Sequence, residues 1–132
     1  MMDGLATKAG MRKGNDMLAE VIGVLFMSRT YSHMAHLKTP SYSKHMALNE
    51  FYDNIVELAD TLAEAAQGLY GKLNVPFVEM KGNVDEPITT LEAHLTMVKR
   101  LSKSCGEPYL DNIMQEIEAQ YRSTLYKLRE LA

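Results

Sequence analysis

Apolar residues recur at helical spacing along nearly the whole chain, and the interruptions divide it into four stretches. From about Asn15 to Lys38, Leu18, Val21, Ile22, Leu25, Ser28 and Ser32 follow a 3.6-residue period, with Asn15 or Asp16 placed to cap the start. Between Met17 and Met27 the apolar residues go well around the cylinder, which predicts burial on more than one side. Either an oligomer or a crowded single-chain core satisfies that. Pro40 breaks the pattern, and Ser41 or Ser43 restarts it. A second helix then runs to about Tyr70, with Gly68 and Gly71 as stop signals. Its inward stripe is Leu48, Phe51, Tyr52, Ile55, Leu58, Ala59, Leu62, Ala66 and Leu69.

Residues 72–87 (KLNVPFVEMKGNVDEP) carry prolines, asparagines and a glycine in poor helical context, and read as a long connection. Thr89 or Thr90 is placed to cap a third helix with Leu91, Leu95, Val98 and Leu101, ending near Ser104–Gly106. Pro108 opens a fourth with Leu110, Ile113, Ile117, Tyr121, Leu125, Leu128 and Leu131 inward. The expected fold is all-α, a four-helix bundle. Up-down bundles need only short loops, so the long connection between helices two and three predicts a crossover along the bundle, the ferritin-like topology. Residues 1–14 (MMDGLATKAGMRKG), with three glycines and no sustained period, read as a flexible lead-in to a single domain over 15–132. Their Lys8, Arg12 and Lys13 are a weak phosphate footprint.

Composition narrows the class. The chain has 132 residues, 46% hydrophobic and 23% charged, as in an ordinary soluble domain. A formal net charge of −3 lacks the basic excess of a nucleic-acid binder, so no DNA partner is expected. The most apolar run, Val21–Met27, is too short to span a bilayer. No apolar secretory segment stands near the N-terminus. The single cysteine, Cys105, fits a reducing compartment and reads as a small buried or half-buried residue. A cytoplasmic protein is expected. The ten methionines lie largely at core spacing. Phosphate-binding glycine loops, zinc-type cysteine clusters, EF-hand loops and nucleophile elbows are missing from the sequence.

One set of residues stands apart. H-x-x-H-L (33–37), His45 and D-x-x-x-E (60–64) combine imidazoles and carboxylates suited to a first-row metal such as iron, manganese or zinc. At about 100° per residue, His45, Asn49, Val56, Asp60 and Glu64 share a face of the second helix roughly 140° from the apolar stripe. His45 and Asp60 are about 22 Å apart at ~1.5 Å per residue, too far for one chain to close a site. Two copies with antiparallel second helices, related by an axis near Tyr52–Asp53, would bring His36 and His45 of one to Asp60 and Glu64 of the other. A solvated helix face is the commoner reason for such a stripe. Asp60 and Glu64, like charges at i, i+4, cost a helix only about 0.2–0.5 kcal/mol. His33 and His36 at a helix end equally suit its terminal carbonyls, and His94, alone on the third helix, reads as a surface or structural histidine.

These strings resemble the ferritin-like miniferritins, the DNA-protection proteins of starved cells (Dps), which have H-x-x-H-W, a further histidine and D-T-[IL]-A-E. The counterparts are His33-Met-Ala-His36-Leu37, His45 and Asp60-Thr61-Leu62-Ala63-Glu64. The resemblance implies an iron ferroxidase centre between two-fold-related subunits of a homo-oligomer, serving iron sequestration or oxidative protection. His36 and His45 would come from one subunit, Asp60 and Glu64 from its mate, with His33 and Asn49 auxiliary. Leu37 stands where the family has tryptophan, and Asn49 where it usually has a carboxylate. The string H-L-x-T-x-S-Y-x-x-H-x-A-L-x-x-F-Y-D (36–53), continued by D-x-L-x-E-A-x-Q-G-x-Y-G (60–71), also looks like small uncharacterised proteins of tailed bacteriophages. That likeness implies a viral gene, and offers as the alternative a helical accessory or structural protein that binds a host or virion protein without catalysis. A non-iron di-metal catalyst is a third reading.

Overall fold

The computed structural model describes the backbone of residues 2–102 and 106–132, and the side chains of 15–102 and 106–132. Four helices make up the regular structure of the described residues: α1 Met2–Lys38, α2 Tyr42–Tyr70, α3 Pro87–Leu101 and α4 Pro108–Glu130. The fold is all-α, and no described helix is long and apolar enough to cross a membrane. Cys105 and the end of the third helix expected at Ser104 fall outside the described residues, where α3 already stops at Leu101.

Several helix ends differ from expectation. α1 takes in the stretch set aside as a lead-in, and Asn15 and Asp16 lie inside the helix instead of capping it. Its Ala, Leu, Met, Lys and Arg are good helix formers, and neither the glycines nor any proline stops it. α3 starts at Pro87, whose fixed φ suits the first helical position, so Thr89 and Thr90 are not caps. Thr90 instead accepts the Asn83 N–H at 3.2 Å and ties down the incoming loop. Gly68 continues α2, and the stop is Gly71, at φ 91°, whose N–H closes on the Gln67 carbonyl at 2.8 Å. Leu69, in the last turn, is exposed where the periodicity put it inside. Leu131 likewise falls beyond α4 and is exposed.

The turn between α1 and α2 is tight. Pro40 forbids continuation, Ser41 N–H donates to Thr39 Oγ1, and Ser41 Oγ accepts the Lys44 N–H at 3.3 Å as the N-cap of α2. In the bundle α1 packs on α2 and α3, and α4 on the same two, so α2 and α3 lie across a diagonal. Lys38, ending α1, pairs with Asp85 just before α3 at 3.4 Å. α3 therefore begins at the end of the bundle where α2 also begins. The segment 71–86 must travel back the length of α2, about 43 Å for 29 residues at ~1.5 Å each. An extended strand of that many residues reaches it comfortably. The crossover expected from the length of the connection is present, and each helix is antiparallel to both its neighbours.

This strap also explains why α1 is apolar on more than one side. Residues 75–78 lie directly on its outer face at Gly23, where an added Cβ would stand 2.8 Å from the Pro76 carbonyl oxygen and 2.8 Å from Val78 Cγ2. The second buried side of α1 is covered by its own chain. Inside, Leu25, Leu48, Ile55, Leu62, Leu91, Leu110, Ile117 and Leu128 form one core, with Phe51 edge-to-face on Tyr121 at 4.9 Å.

A buried polar chain crosses that core. Tyr121 O–H donates to Ser28 Oγ (2.6 Å), Ser28 stands 2.7 Å from His94 Nδ1, and His94 Nε2 stands 2.8 Å from the Lys81 carbonyl. A carbonyl only accepts, so Nε2 carries the proton and Nδ1 accepts from Ser28. His94 is neutral and structural, joining α4, α1, α3 and the strap. Burial pushes its pKa below the usual histidine value, against a smaller upward pull from the Lys81 carbonyl. Burial pushes the Tyr121 phenol up strongly.

Candidate metal centre

The α1–α2 turn brings three histidines together. His36, the last helical turn of α1, and His45, the first of α2, stack with ring centroids 3.6 Å apart and planes 21° from parallel. Each ring is held by the other's backbone: His36 Nδ1 donates to the His45 carbonyl at 2.7 Å, and His45 Nδ1 to the His36 carbonyl at 2.9 Å. Nδ1 must be the protonated nitrogen on both rings. When the rings are neutral, both Nε2 atoms then keep a free lone pair, and neither has a hydrogen-bond partner among the described residues. A ligand histidine is usually fixed in this way, by an outer contact that sets tautomer and orientation. His36 is buried at 7% exposure, and His45 is half-buried.

His33 extends the cluster. It stacks on Tyr52 at 4.2 Å and 15°, and meets His36 edge-on at 5.9 Å. Tyr52 packs edge-on against His36 at 5.3 Å, with the Arg29 guanidinium 5.9 Å above its ring. Its hydroxyl donates to Asn49 Oδ1 at 2.8 Å, and Asn49 Nδ2 donates to Asp53 at 3.1 Å. The amide oxygen of Asn49 is therefore occupied and its amide group is turned to a carboxylate, which leaves it a supporting place. Tyr52 and Arg29 belong to this site although periodicity assigns Tyr52 to the core stripe alone. Their signal, a ring one turn from Asn49 on the edge of the stripe, is visible only once α1 is laid beside α2.

Asp60 and Glu64 lie farther along the same outer face of α2. Both are exposed, one turn apart, with no ion pair or hydrogen bond of their own among the described residues. The structure brings His33, His36 and His45 together and leaves the two carboxylates apart from them. Among the described residues of one copy, no three His, Cys, Asp or Glu side chains converge as a metal site.

A family model matches residues 36–128, from the first stacked histidine almost to the end of α4. The chain belongs to DUF5856, a family of unknown function. The family region holds His36, His45, Asp60 and Glu64, while His33 precedes it. The chain is also similar to the "Uncharacterized 14.6 kDa protein in mobD-ri intergenic region" of Enterobacteria phage T4, with 30% identity over 59 residues. That alignment covers 45% of this chain and 46% of the phage protein, so the match spans less than half the length of that relative. A phage association thus has support in sequence. No solved structure matches.

Proposed function

We propose that this DUF5856 protein is a ferritin-like metal-binding protein that works as a two-fold pair, acting in the cytoplasm of the infected bacterium. His36 and His45 of one copy and Asp60 and Glu64 of the other would hold a first-row divalent ion, iron before manganese or zinc. One observation carries this reading. The reciprocal backbone bonds of His36 and His45 hold two imidazoles in one tautomer with both Nε2 atoms unengaged. Two further features support it: the diagonal crossover, which ferritin-like bundles share, and two carboxylates exposed on the same face of α2, without partners among the described residues. Bound iron would supply one-electron redox chemistry between Fe²⁺ and Fe³⁺. The chain's part is to fix the imidazoles and to present anionic oxygens that favour the higher charge.

The test is calorimetric titration of the full chain with Fe²⁺ under anaerobic conditions, repeated with Zn²⁺. Wild type should bind one ion per chain. A His36→Ala/His45→Ala protein and an Asp60→Ala/Glu64→Ala protein should each bind none. Mixing the two variants should restore half a site per hybrid chain, because a hybrid pair keeps one intact half from each parent. Wild-type binding that survives both double substitutions refutes the assignment.

A second reading has its own observation. Met34, Leu37, Tyr42 and Met46 are exposed around the histidine cluster. Such a patch suits a helical accessory protein that docks on a host or virion protein, the stacked histidines then serving to stiffen the turn.

A further inference from the structure

The strap carries an apolar knob beside an apolar socket. Pro76 and Val78 turn onto α1 at Gly23, and Phe77 turns out, its ring fully exposed. At its base lies an open groove of about 480 Å³, lined by Gly23, Phe26, Thr30, Val75 and Met80 and edged by Phe77 itself. No charged side chain lines the groove, although Phe26, Val75 and Met80 on its rim are all exposed. An exposed phenylalanine beside an unfilled apolar groove is unusual on a water-facing surface.

We propose that this patch is a contact between two copies of the chain, the Phe77 ring of each seated in the groove of the other. The occupant follows from where the patch sits. Arg29 and His33 of α1 touch Tyr52 of α2, so these stretches of the two helices stand at one height. The strap and its groove run along α1 over residues 23–30, reaching that height at the Thr30 end. The axis inferred for the metal pair runs across α2 near Tyr52–Asp53, perpendicular to the helices. An axis in that plane lays α2 on α2, α1 on α1 and strap on strap, each antiparallel. Phe77 then lies close to the axis, where a knob and its socket on one patch are self-complementary, as an isologous contact requires. The placement of the axis rests on the metal reading, but the contact itself needs no metal.

Size argues for one continuous face. The exposed apolar surface of Phe26, Val75, Phe77 and Met80 is on the order of 400 Å², about half of the ~800 Å² each partner gives to a standard interface. The remainder is available on the adjoining α1–α2 face, where Leu37, Met34 and Tyr42 are exposed.

Sedimentation equilibrium of the full chain in EDTA, at low and high salt, tests the contact. Wild type should self-associate to the same degree in all these conditions, since neither metal nor charge holds the patch together. Phe77→Asp should weaken association by about a hundredfold, both rings of the pair being lost at roughly tenfold or more each. Its circular dichroism should stay unchanged and its melting temperature should match that of wild type diluted to the monomer, because the exposed ring supports nothing within its own copy. The chain has no tryptophan, so a Phe77→Trp protein reports the seat directly, its emission moving to the blue as concentration rises. A monomeric wild type overturns the proposal and assigns the groove to a different protein. Association unchanged in Phe77→Asp, or an indole that stays solvent-exposed in the associated state, overturns it equally. The metal reading fails separately, through the titration of the histidine and carboxylate variants, whether or not the chains pair.

Discussion

His94→Gln should flatten the dependence of stability on pH below about 6.5. The wild-type imidazole is fully buried, with Nδ1 accepting from Ser28 and Nε2 donating to the Lys81 carbonyl. Taking up a proton would make both nitrogens donors. Ser28 would then accept from both His94 and Tyr121, and its own hydrogen would lose the Nδ1 acceptor it has in the neutral state. Desolvation is the largest cause of the lowered pKa, opposed by the bond to the Lys81 carbonyl. The sign follows from proton counting. Between the folded pKa and the ordinary value of 6.5, the unfolded chain binds more protons at this position than the folded one, so stability rises with pH there. The contribution is complete above pH 6.5 and is lost as pH falls through the window below it. One proton gives a slope of at most about 1.4 kcal/mol per pH unit. Glutamine has a donor and an acceptor but no charge to gain. Urea unfolding of both proteins at half-unit steps from pH 5 to 8, taken as a difference, cancels the other histidines. Wild-type stability minus that of the variant should fall as pH drops below 6.5. Parallel curves would refute the buried neutral histidine, whatever the absolute cost of the substitution.

Three other outcomes follow from particular contacts. Gly23→Ala puts a methyl group against the Pro76 carbonyl and Val78, so it should cost about 1–3 kcal/mol and make the strap more open to limited proteolysis; an unchanged melting temperature would mean that the strap does not lie on α1. Ser41→Ala removes the side chain that caps Lys44 N–H, for a loss of about 1 kcal/mol, read by chemical denaturation. It should also weaken Zn²⁺ binding if that turn aligns His36 with His45. Asn49→Asp places a carboxylate one turn from His45 and should tighten metal binding in the calorimeter, whereas an accessory protein that binds no metal would show no heat with either residue.

How much was legible depends on the range over which each feature acts. Helices α2 and α4 and the turn at Pro40 follow from local signals: a clean apolar stripe, Ser41 as cap and Pro108 at the first position of α4. The crossover was legible from length, because a bundle with short loops has no use for residues 71–86. What failed was local detail under tertiary control. Thr90 has the chemistry of a cap, yet its hydroxyl serves Asn83 because Gly82, at φ 126°, brings the loop hard against it. Leu69 keeps the period of the stripe but lies past the point where α4 can cover it. Gly23 inside the most apolar run of the chain was the one hint of the strap, since a glycine there is costly unless another backbone must approach.

The candidate site divides in the same way. The chemical types at His36, His45, Asp60 and Glu64 can be read from the sequence, and so can the face of α2 that the last three share. That two imidazoles at a helix end and a helix start would each donate to the other's backbone cannot, because the bonds depend on the angle at which the turn sends α2 back along α1. This lock changes the weight of the two readings. A histidine that only caps a helix satisfies the carbonyls of its own last turn. Here each ring reaches the backbone of the opposite helix and leaves Nε2 unengaged, twice over and at the same end of the bundle. A turn needs neither a particular nitrogen left free nor two of them. A metal needs both, along with oxygens that this copy holds about 22 Å away at ~1.5 Å per residue of helix, which makes the state of association the property to measure first.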